Sequence, residues 1–84
     1  MKWYVYIAEC ADNFLYTGIS NNPERREDQH NNGKGAKSLR GKLPVKIVYL
    51  EEYNDKISAG KREYEIKNWK RKDKLKLIEN KPGR

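Results

Sequence analysis

Residues 3–30 read WYVYIA-ECADN-FLYTGIS-NNPERREDQH, and this stretch decides the fold. Trp3 to Ala8 is rich in β-formers. Trp3, Val5 and Ile7 share one parity; Tyr4, Tyr6 and Ala8 share the other. Both sets are apolar or amphipathic, which predicts a strand central in its sheet. Cys10-Ala11-Asp12-Asn13 predicts the turn, because Asp and Asn accept turn conformations through local hydrogen bonds. Residues 14–20 form the second strand of the hairpin. Gly18 inside it predicts a bulge or a close approach by another backbone. A helix follows directly: Asn22 can cap, Pro23 suits the first helical position, and Glu24 and Glu27 favour its positive end. It runs to about His30, with Asn32-Gly33 as the stop. It carries no apolar stripe, so it must be held by polar contacts. Arg26 and His30 are four apart and share a face.

Further along, residues 31–43 form a loop with three glycines and four basic residues, Lys34, Lys37, Arg40 and Lys42. Such a loop can lay N–H groups and cations along phosphates; a solvated loop is the alternative. Pro44 opens a third strand over 45–53, with Val45, Ile47, Tyr49 and Glu51 on one parity. Ser58 is placed as the cap of a second helix running to about Lys70, whose inward face takes Ala59, Arg62 or Glu63, Ile66 and Trp69. A carboxylate at that position is costly unless it meets a cation or a metal. An edge glutamate paired with Arg62 or Lys67 is the plainer reading, and Glu65 is placed in solvent. Residues 73–80 give a last short helix with Leu75, Leu77 and Ile78 as contacts, and 81–84 a frayed tail. The expected fold is α+β: a small three-stranded antiparallel sheet flanked by about three helices, in a single domain spanning 1–84.

The 84 residues carry a net charge of +7, which draws nucleic acid, acidic lipid or acidic protein. The one cysteine, Cys10, excludes an internal disulfide and a cysteine-rich zinc cage, and points to a reducing, cytoplasmic setting. Cys10 is placed in the hairpin turn with no catalytic role. No apolar run approaches the ~20 residues of a membrane span.

The ordered set Tyr4-Val5-Tyr6, Tyr16-Thr17-Gly18, Arg26, His30 and Glu63 resembles the GIY-YIG nuclease family, over nearly the whole chain. The likeness is to its small, stand-alone bacterial members, and more distantly to the N-terminal nuclease domain of the excision-repair protein UvrC. The two signature tripeptides stand here as Y-V-Y and Y-T-G, with Tyr4 in place of the first glycine. Arg26 matches the family arginine, His30 the histidine one turn later, and Glu63, in R-E-Y-E-I-K, the metal-binding glutamate. Two departures stand out. Pro23 and Glu27 occupy positions where aliphatic residues are common, and neither Asn68 nor Asn80 matches the family's C-terminal asparagine.

The resemblance implies an endonuclease that hydrolyses DNA phosphodiesters with a Mg²⁺ or Mn²⁺ ion, in DNA repair, recombination or processing. It implies catalytic roles for Tyr6, Tyr16, Arg26, His30 and Glu63, with Glu63 the metal ligand and Tyr6 the general base. The chemistry agrees: one carboxylate with waters and phosphate suits Mg²⁺, Arg makes bidentate contacts to phosphate, and a phenol near pKa ~10 needs cations to act as base. Lys34, Lys37, Arg40, Lys42 and Lys67 are the expected nucleic-acid contacts. The expected partner is DNA, branched or single-stranded forms included; RNA and a homodimer stay open, and no membrane or further cofactor is expected. The alternatives are a catalytically weak nucleic-acid-binding module of the same fold, and a domain whose basic surface meets an acidic protein.

Overall fold

The computed structural model describes residues 1–39 and 41–80, so Arg40 and the tail at 81–84 lie outside the described residues. Three strands, β1 (Trp3–Cys10), β2 (Leu15–Ser20) and β3 (Val45–Tyr53), form an antiparallel sheet in the order β2-β1-β3. β1 is central, as its two apolar faces require. Helices α1 (Pro23–Asn31), α2 (Lys56–Lys67) and α3 (Arg71–Glu79) flank it, and one short 3₁₀ turn covers 37–39.

The sheet is covered on both faces by small cores. Val5, Ile7 and Leu15 meet Tyr49, Ala59 and Ile66 on one side, with Leu75, Leu77 and Ile78 of α3 packed against them. Tyr6, Ala8 and Cys10 meet Leu39 and Val45 on the other. A single alternation does not describe β3. Ile7 pairs with Tyr49 but Ala8 pairs with Ile47, so Val48 is an extra residue in the ladder. This bulge sends Val45 and Ile47 to the Tyr6 side and Tyr49 to the α2 side.

The turn over 10–13 forms as read, the Asn13 N–H donating to the Cys10 carbonyl at 2.9 Å, and Cys10 is also the buried last residue of β1. The turn seats Asn13 at φ 69°, a left-handed conformation asparagine tolerates. Two local expectations are corrected. α2 begins at Lys56 and is capped by Asp55, whose carboxylate accepts from the Ser58 N–H at 2.7 Å. Both residues can cap; Asp55 has the extended backbone a cap needs. α3 begins two residues before Asp73, and Arg71 donates to the Asn13 carbonyl.

α1 is held by polar contacts, as a helix without an apolar face must be. β3 lies at the sheet edge, where its outward backbone groups lack a strand partner. Glu27 accepts from the Ile47 N–H at 2.7 Å. Asn31 accepts from the Val45 N–H at 2.7 Å and donates to the Val45 carbonyl at 3.0 Å. The edge is thus covered by side chains of α1 rather than left open. Glu27, which stands where an aliphatic residue was the family expectation, is an anchor of another kind.

Candidate active site

The buried centre of the site is a pair from β1 and α1. The Tyr6 hydroxyl and His30 Nε2 share a hydrogen bond of 2.8 Å, and each residue is 1% exposed. Tyr16 on β2 completes an aromatic triangle: its ring stands edge-on to His30 at 5.5 Å and tilted to Tyr6 at 6.1 Å. Tyr6 and Tyr16 share the α1 face because β1 and β2 pair with Tyr6 opposite Gly18.

Two glycines make room for this pair. A side chain at Gly18 would meet Tyr6 Oη at 2.6 Å and Cζ at 2.7 Å. The close approach expected at Gly18 is therefore by a cross-strand aromatic ring, not by backbone. Gly35 plays the same part for His30: a methyl group there would overlap Nδ1. The Ala36 N–H also donates to His30 Nδ1, at 3.4 Å. Gly35 was legible only as one glycine in a basic loop; nothing local marks which of the three touches the site.

Burial pushes the Tyr6 hydroxyl up to about 12, aided by Tyr16 and Glu63 and opposed by Arg26 through hydrogen bonding and charge. The phenol is therefore protonated at neutral pH in the free protein. Burial, then the Arg26 charge, lower the His30 pKa, so its imidazole is neutral there. Arg26 thus acts on both members of the pair, and its Nη1 donates to Gln29 at 3.1 Å. It also lines a cleft of about 310 Å³ with Trp3, Asn21, Arg25 and Gln29.

Glu63 sits at the site's margin. Its charge reaches Tyr6, its side chain is 22% exposed, and Oε2 lies 3.1 Å from Lys67 Nζ. Of the two partners considered for Glu63, the structure selects Lys67. Arg62 turns away, with Nε and Nη2 on Glu51 at 2.9 and 3.0 Å and Nη1 on Glu65 at 2.5 Å. Glu65 is exposed but paired, not merely solvated.

The donor set can be tested against a divalent ion. Among the described residues no three His, Cys, Asp or Glu side chains converge, so a cage made wholly of protein is excluded. One partly exposed carboxylate is what a Mg²⁺-type ion uses when waters and a phosphate complete its shell. Glu63 fits that arrangement, with Lys67 holding the position in the free chain. Among the proposed phosphate contacts, Lys34 and Lys37 are exposed. Lys42 is committed elsewhere: it pairs with Asp12 at 2.7 Å and lies over the Phe14 ring.

The chain is similar to known proteins over most of its length. The GIY-YIG catalytic domain matches residues 2–76. A UPF0213 protein of Staphylococcus haemolyticus is 53% identical over 78 residues, 93% of this chain and 95% of that protein. A UPF0213 protein of Natronomonas pharaonis is 45% identical over 80 residues, 95% of this chain and 94% of that one. The solution NMR structure of a UPF0213 protein from Bacillus halodurans superposes with a TM-score of 0.63 at 41% identity, covering 99% of this chain and 88% of that one. Another solution NMR structure, of the protein EF2693 from E. faecalis, gives 0.63 at 32% identity, covering 100% of this chain and 93% of that one. From Lys2 to Lys76, then, through both signature tyrosines and the glutamate, the chain belongs to the GIY-YIG family.

Proposed function

We propose that this protein is an endonuclease that hydrolyses DNA phosphodiester bonds with one Mg²⁺ or Mn²⁺ ion. The observation that carries the reading is the buried Tyr6–His30 pair under the charge of Arg26, with the Glu63 carboxylate within electrostatic reach. A sheet that needed only packing would not bury a phenol and an imidazole together beside a guanidinium. In this reading Tyr6 acts as the phenolate: it first gives its own proton to solvent water, then takes the proton of the attacking water. His30 holds the phenolic oxygen, Arg26 binds non-bridging phosphate oxygens, and Tyr16 orients water or phosphate. Glu63 would hold the ion, which when bound offsets charge on the phosphate and acidifies water. Because Glu63 raises the Tyr6 pKa, neutralising its carboxylate favours the phenolate. Lys67 is then released toward the substrate phosphates. The DNA is drawn by Lys34, Lys37 and neighbouring cations.

A second reading is a nucleic-acid-binding module with little turnover. It is favoured by the Glu63–Lys67 ion pair and by a phenol protonated at neutral pH. Incubating the purified chain with duplex, nicked, branched and single-stranded DNA, with and without Mg²⁺ or Mn²⁺, separates the two. Metal-dependent cleavage that falls by orders of magnitude in Glu63→Gln supports the nuclease. Glu65→Gln should leave it intact. Stability of Glu63→Gln should change by no more than ~0.5 kcal/mol, since a single i,i+4 helix pair with a half-exposed lysine contributes little. Binding without cleavage under every metal condition, unchanged by Glu63→Gln, would establish the binding module.

A further inference from the structure

His30 is the one histidine of the chain, and its two ring nitrogens meet different partners. Nε2 lies 2.8 Å from the Tyr6 hydroxyl, which can donate or accept. Nδ1 faces the Ala36 backbone N–H at 3.4 Å. A backbone N–H can only donate, so the nitrogen it faces must present a lone pair. Gly35 closes the same side, its backbone lying so near the ring that a methyl group there would overlap Nδ1 and press on Cε1 and Cγ at 2.7 Å. A proton on Nδ1 would point at the Ala36 hydrogen. In a neutral imidazole the single N–H is then on Nε2, aimed at the Tyr6 oxygen.

We infer that the Gly35–Ala36 segment is a positioning element: it selects the Nε2-protonated form of His30, so that His30 donates its hydrogen bond to the Tyr6 oxygen. Only the catalytic meaning of this rests on the nuclease reading above. In that reading His30 is not the acceptor of the Tyr6 proton. It donates to the phenolate oxygen once the hydroxyl proton has passed to solvent water, and holds that oxygen until it takes up the proton of the attacking water. The basic loop then has a second task besides meeting phosphate, because its backbone sets the donor and acceptor sense of the buried pair.

The test needs no substrate. With ¹⁵N-labelled histidine in the whole chain, a long-range ¹H–¹⁵N correlation at pH 8 shows one imidazole without ambiguity. The expected spectrum places the proton on Nε2, the nitrogen coupled strongly to both ring carbon-bound protons. A proton on Nδ1, or equal averaging over the two nitrogens, overturns the inference. In Gly35→Ala the segment must withdraw, and the expected result is a shift toward averaging, with Tyr6 titrating at higher pH. A folded Gly35→Ala variant with an unchanged Nε2–H spectrum overturns the role of the segment. If that variant does not fold, Ala36→Pro, which deletes the N–H after a permissive glycine, gives the same two outcomes. Cleavage provides a separate readout: His30→Gln, whose amide can donate near the Nε2 position, should retain activity that His30→Leu loses. A chain that never cleaves DNA but shows the Nε2–H spectrum overturns the nuclease reading and leaves the positioning intact.

Discussion

Thr17 occupies the middle of the second signature tripeptide and points into the core beside Leu15. It is 3% exposed, and its hydroxyl has no hydrogen-bond partner among the described residues. An unmade buried hydrogen bond costs more than an apolar group of the same shape. Thr17→Val should therefore raise stability by about 1 kcal/mol, or some 4–8 °C in Tm for a chain of this size. A lower Tm would mean that the hydroxyl is satisfied by the backbone or by water. His30 gives a pH prediction. Its folded pKa lies below the ordinary value, so the unfolded chain binds the proton more readily. The pair's contribution is thus fully present above about pH 6.5 and is lost as pH falls from there toward the folded pKa. Denaturant midpoints measured from pH 8 to 5 should fall with acid, and His30→Gln should flatten the part of the slope that lies near pH 6. At this scale the candidate site was largely legible. Tyr6, Tyr16, Arg26 and His30 do come together, because a strict period of two on paired strands and a four-residue helical spacing fix their directions. Gly35 was not, since its role depends on where a loop returns.

The elements were legible where local chemistry decides them. Asn22-Pro23 starts α1 and Pro44 precedes β3, as read. They were less legible where tertiary context decides. The start of α2 depended on which of two competent caps, Asp55 or Ser58, adopts extended backbone. The bulge at Val48 leaves no mark in a valine-rich strand. The anchors of α1 are side chains bonded to backbone groups 14 and 20 residues away, a relation that no pattern within the helix reveals. They support a prediction about the helix as a unit. Asn31→Ala strips two bonds from the β3 edge and Glu27→Ala one, so losses of about 2 and 1 kcal/mol are expected. Because α1 carries Arg26 and His30, cleavage should fall in both variants, although neither residue touches the pair. Hydrogen exchange at the Val45 and Ile47 amides checks the cause directly. Unchanged protection there would show that these bonds are not what holds the helix.

Across the whole molecule, a charge of +7 on 84 residues makes affinity for DNA an electrostatic matter. Binding should weaken steeply with salt, with a slope of about −0.9 for each phosphate neutralised. Lys34→Ala and Lys37→Ala should each flatten that slope by about one contact. Lys42→Ala should change it less, because Asp12 already holds that cation. An affinity flat from low to moderate salt would remove the basic loop from the interface. The α+β architecture needed little more than the hairpin and the helix starts to be read. The division of the interior into two small cores did not follow, because that depends on the bulge. That extra residue has a consequence for how the chain can change over time. Val45 and Ile47 pack into the wall behind Tyr6, while Tyr49 packs with Val5, Ile7 and Leu15 against Ala59 and Ile66 of α2. One strand therefore serves two tenants that share no side chain. The two buried walls can drift separately from one another, save where α2 brings the Glu63 carboxylate back to the margin of the Tyr6 site.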